Sequence, residues 1–105
     1  MILAFELSMP SNNSWNGKWS GEGECHAKIV NFARKFGTSK AAKEKLNAIL
    51  NEKSYIYNFS DGWTAMVKVR MVDAKEAGRL RRKTKGFCGY DWMVESIMQN
   101  GEIIY

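Results

Sequence analysis

One proline, two cysteines and one histidine are spread over 105 residues, and each scarcity removes a class of protein. Pro10 stands alone, so no proline-rich linker divides the chain, and a single domain over residues 1–105 is expected, with one continuous core. Cys25 and Cys88 are too few and too far apart for a disulfide framework or a zinc-ribbon spacing, and read as reduced thiols. Long apolar runs are missing too. The opening Met1-Ile2-Leu3-Ala4-Phe5-Glu6-Leu7 has no basic leader and is broken by a carboxylate, which argues against a signal peptide or membrane span and makes the cytoplasm the expected location.

The tools of catalysis are also sparse. A nucleophilic pair of Cys88 and His26 with Asp91 as orienter is conceivable, because a turn thiol beside basic groups has a depressed pKa, but no nucleophile signature surrounds Cys88. Cys25, His26 and Cys88 lack both a fourth ligand and the spacing of a metal site. Gly21-Glu22-Gly23 and Gly86-Phe87-Cys88-Gly89 have neither the glycine spacing nor the strand-turn-helix order of a phosphate-binding loop. Glu22 and Glu24 fall in a stretch that reads as solvated loop and form no acid-base pair. A non-enzymatic binder without cofactor or metal is the expectation.

What the chain does hold is tryptophan beside glycine. Its four tryptophans lie in Trp15-Asn16-Gly17-Lys18-Trp19, Asp61-Gly62-Trp63 and Gly86-Phe87-Cys88-Gly89-Tyr90-Asp91-Trp92. Such rings suit a recognition face as well as a core, since glycine permits positive φ and close approach by a partner. Charge is placed in blocks around a net +5. Residues 25–53 hold seven Lys/Arg against two acids, residues 73–85 hold six against two, and residues 86–105 are net −3. This pattern attracts a polyanion or an acidic protein surface, and equally describes solvated helix faces.

Apolar periodicity predicts an α+β fold, a mainly antiparallel sheet of four to five strands with two or three helices packed on one face. Residues 1–9 alternate, with Leu3, Phe5 and Leu7 on one side and Ala4, Glu6 and Ser8 on the other. Residues 11–24 read as a long loop, and residues 25–33 as a second strand. Thr38 or Ser39 caps a helix over 39–52 with Ala42, Leu46, Ile49 and Leu50 as its apolar stripe. Tyr55, Tyr57 and Phe59 alternate up to an Asp-Gly turn, and Trp63, Ala65, Val67, Val69 and Met71 alternate after it, the pattern of a hairpin. Asp73 and Glu76 suggest a capping box for a short basic helix, with Gly86 as its stop. Asp91 is the expected cap of a last helix ending at Asn100-Gly101, and residues 102–105 offer a fifth, edge strand.

The candidate contacts are Trp15, Lys18 and Trp19 from the long loop, Arg79, Arg81, Arg82 and Lys83 from the basic helix, and Tyr90 beyond it. Trp63 and Trp92 fall in phase with core positions. Arginine and lysine suit phosphates while aromatic planes suit unpaired bases, although no RRM, KH, zinc-finger or helix-turn-helix pattern is present. The same residue types also anchor protein interfaces.

The three tryptophan segments together resemble small phage and prophage proteins of the anti-defence, anti-CRISPR-like kind. That resemblance spans most of the chain and implies stoichiometric inhibition of a bacterial immune effector in the host cytoplasm, by binding a Cas protein or its guide RNA. A narrower similarity, carried by Trp15 to Lys18, Gly62-Trp63-Thr64-Ala65 and Asp91-Trp92, is to the phage sponges that sequester the signal nucleotide of Thoeris defence. Those have a much shorter interval where this chain places Asp91 28 positions after Trp63. The alternatives are therefore a single-stranded nucleic-acid binder and a nucleotide sponge.

Overall fold

The computed structural model describes residues 2–8, 26–52, 54–60, 62, 64–84, 86, 87 and 89–104. The long loop, both cysteines and Trp63 therefore lie outside the described residues. Four strands, β1 (Ile2–Ser8), β2 (His26–Asn31), β3 (Ser54–Asn58) and β4 (Thr64–Val72), form one sheet in the order β2-β1-β4-β3. Every neighbouring pair is antiparallel. Four helices accompany them: α1 (Phe32–Phe36), α2 (Lys40–Glu52), α3 (Ala74–Lys83) and α4 (Asp91–Asn100).

Cross-strand partners share a face of a sheet, so the register sorts the side chains into two sets. Leu3 pairs with Val30 and Met71, Phe5 with Lys28 and Val69, and Leu7 with His26 and Val67. This face carries the main core, in which Leu3, Phe5, Leu7, Val67 and Val69 meet Phe32, Leu46, Ile49, Phe87, Met93 and Ile97. Helices α1, α2 and α4 cover it, α2 and α4 through the apolar stripes that their spacing predicts. Met71, in phase with that set, is nevertheless 53% exposed near the end of β4.

The second face holds Ala4, Glu6, Ala27, Ile29, Lys68 and Arg70 by the same register. Ala4 and Ala27 are buried there with Ala77 and Leu80 of α3, apart from the main core. Helix α3 thus lies on the opposite side of the sheet from the other three, in contact with β1, β2 and β4. The connection from α3 to α4 changes face beside β2, where His26 Nδ1 donates a 2.9 Å hydrogen bond to the Gly86 carbonyl.

Local chemistry sets the element ends. The second strand stops at Asn31 instead of running to 33, because the Asn31 carboxamide accepts from the Arg34 N–H at 3.1 Å and opens α1. Ser39 Oγ accepts from the Ala42 N–H at 3.2 Å at the start of α2. Asp73 caps α3 by accepting from the Glu76 N–H at 2.8 Å. The capping box is not closed, since the Glu76 carboxylate turns to Arg79 and Arg70. Helix α3 ends before Gly86, at Thr84, whose N–H donates to the Leu80 carbonyl at 2.9 Å.

Tyr90, not Asp91, occupies the N-cap position of α4, and Asp91 as the first helical residue pairs with Lys28 at 3.0 Å. Gly101 closes that helix in the left-handed region at φ 73°. Residues 102–104 do not extend the sheet. Ser96 on α4 captures them, its hydroxyl accepting from the Ile104 N–H at 2.7 Å and donating to the Glu102 carbonyl at 2.8 Å. A backbone satisfied in this way has no need of a strand partner.

Candidate functional site

Helix α3 presents a cationic ridge. Its inward residues, Ala77 and Leu80, follow helical spacing and are buried, which sends Lys75, Arg79 and Arg82 to the solvent side. Lys75, Arg79, Arg81, Arg82 and Lys83 are all exposed, and so is Ala74. Gly78 is half-buried, with Arg82 Nη1 3.3 Å from where a Cβ would stand. The exposed side of the helix therefore holds cations and small residues and no large apolar group.

Not all of these cations are available. A charge ladder runs from β1 through β4 into α3. Arg70 Nε donates to Glu6 Oε1 at 2.7 Å, Arg70 Nη1 lies 3.7 Å from Glu76 Oε2, and Arg79 Nε donates to Glu76 Oε1. The Arg79 hydrogen bond, with the charges of Arg79 and Arg70 behind it, holds the Glu76 carboxyl below the usual carboxylate range. The hydrogen bond to Glu6 is the main cause that raises the Arg70 guanidinium above its ordinary value. Alternation of Glu6, Arg70, Glu76 and Arg79 leaves this ladder neutral and fixes α3 to the sheet. Lys75, Arg81, Arg82 and Lys83 make no ion pair among the described residues, and neither does Lys68, exposed on the same face of β4.

Among the described residues, the candidate contacts do not share one surface. Arg79, Arg81, Arg82 and Lys83 share α3, with Arg79 already engaged. Tyr90 packs half-buried against the main core, 6.1 Å from the Phe59 ring, on the far side of the sheet. Trp15, Lys18 and Trp19 lie outside the described residues. Two cations belong with α3 that were absent from the candidate set. Lys75 was legible from its spacing to Arg79 and Arg82, and Lys68 from its outward phase on β4.

Other chemistry has less to work with. His26 is held by Gly86 and Asp91 by Lys28. No group of three His, Cys, Asp or Glu among the described residues could hold a metal ion. Trp92 is half-buried, edge-on to Tyr57 with centroids 5.7 Å apart, and lines an open groove of about 590 Å³ with Glu95, Ser96, Gln99, Asn100 and Ile104. Glu95 in that groove is bound to Lys35 at 2.7 Å. No helix among the described residues is long and apolar enough to cross a membrane. No protein-family model, curated protein or solved structure matches the chain.

Proposed function

We propose that this chain is a non-catalytic inhibitor of a bacterial defence effector, of the anti-CRISPR kind, that acts by stoichiometric binding with α3 as its contact element. The observation behind this reading is the set of exposed cations on one helix, Lys75, Arg81, Arg82 and Lys83, which have no ion pair among the described residues, on a helix tied to the sheet by the Glu6–Arg70–Glu76–Arg79 ladder. A Cas ribonucleoprotein offers such a helix both nucleic-acid phosphates and acidic protein surface. Binding energy concentrated on arginines of a preorganised element requires no catalytic group.

The test is infection. Cells armed with a CRISPR system that targets a phage should regain full plaque formation when they express this chain, and lose that rescue with the Arg81→Ala/Arg82→Ala variant. Purified effector cleavage should then be titrated to an end point at about one chain per complex. Failure to rescue across the CRISPR types that use Cas nucleases would remove the proposal.

A further inference from the structure

We infer that α3 docks against the phosphate backbone of duplex nucleic acid, through Lys68, Lys75, Arg82 and Lys83, with Arg79 serving to hold the helix and not to contact the ligand. This deepens the reading of α3 as the contact element and rests on it. Shape is the first argument. Among the described residues α3 is the one helix on its face of the sheet, so it stands up from the strands by about the width of a helix, roughly 10 Å. The major groove of duplex DNA is about 12 Å wide and accepts a ridge of that size.

Composition decides the class of partner. The core of a protein interface is depleted of lysine and sets its arginines beside apolar or aromatic anchors, and a single-strand site needs planes on which bases stack. The exposed side of α3 carries neither, and Ile56, 61% exposed on the same sheet face, sits on the edge strand β3, beside β4 and beyond the three strands on which α3 mainly packs. Cations without anchors suit the one partner whose affinity comes from backbone charge alone. Lys68 lies two residues along β4 from Arg70, the residue that reaches α3 through Glu76, and so flanks the foot of the ridge. Arg79 is withdrawn by its bond to Glu76.

The experiment is a fluorescence anisotropy titration of the full chain with a mixed-sequence 20-base-pair DNA duplex between 50 and 200 mM NaCl. Four phosphate contacts predict a log–log salt slope of about −3.6. Lys75→Ala/Arg82→Ala should reduce that slope by about 2, while Arg79→Ala should leave it unchanged. Amide shifts of the wild-type protein on duplex addition should map to residues 74–83 and to Lys68 with its neighbours on β4, which reads the site without any variant. Tighter binding to a single strand of the same length, equal binding to polyglutamate, no binding at 50 mM NaCl, or shifts elsewhere in the chain would each overturn the inference. Duplex binding without rescue of infection defeats the inhibitor reading alone, and rescue without duplex binding defeats this one alone.

Discussion

The Tyr55 hydroxyl donates a 2.8 Å hydrogen bond to the Ile49 carbonyl, tying the edge strand β3 to the helix that precedes it in the chain. Both partners are buried, so Tyr55→Phe should cost about 1 kcal/mol, read as a lower urea midpoint with an unchanged slope.

The same residue gives the fold an alkaline limit. Burial, and then the negative charge of Glu52, push the Tyr55 phenol up from its ordinary value of 10.0. The unfolded chain ionises first, so the contribution is whole below pH of about 10 and is lost as pH rises through the raised folded value. The stability gap between wild type and Tyr55→Phe should therefore narrow above that pH, which denaturation at stepped pH will measure.

Ser96→Ala should release the last residues described. It strips the partner from the Ile104 N–H and from the Glu102 carbonyl together. Loss of about 1–3 kcal/mol is expected, with faster hydrogen exchange at the Ile104 amide than at core amides of β1.

Gly78→Ala should stabilise the protein. A glycine within a helix costs about 0.5–1 kcal/mol relative to alanine, and the nearest obstacle to the new methyl group is the mobile end of Arg82, at 3.3 Å. A raised melting temperature with unchanged helical circular dichroism is the expected result.

Glu76 should titrate below an ordinary glutamate by carboxyl NMR, and Arg79→Ala should bring it back up, because the Arg79 hydrogen bond is the largest cause of the depression. The sign follows directly. The stabilising effect of this group is present above the ordinary carboxylate range and fades as pH falls through the lowered folded value.

The hairpin of β3 and β4 was legible because an Asp-Gly turn between two alternating runs leaves few other options. Helix α1 was not, since Phe32 to Phe36 is too short to show a helical period. Its markers were Asn31 and Gly37, with φ 83°, at its two ends. Ala4 shows a deeper limit. Alternation assigns it to the solvent side of β1 with Glu6, yet it is 0% exposed, because α3 covers a face that period-two reasoning leaves open. Tyr90 joined the candidate set as an aromatic plane beyond the basic helix, offered to unpaired bases beside the cations of that helix. The chain crosses to the other face of the sheet between them, and no local pattern announces that crossing.

The placement of β1 between β2 and β4 sets the order in which the molecule can be made. Its contacts with β4 close over long intervals, as between Glu6 and Arg70, 64 residues apart. On the ribosome the first strand therefore emerges long before its second neighbour, and its apolar side stays without cover until β4 and the helices follow. Interrupted synthesis short of β4 leaves that strand half-paired, whereas the hairpin that completes the sheet closes locally and quickly. The arrival of β4 and the helices after it, and not the early growth of the chain, is the step that covers this strand.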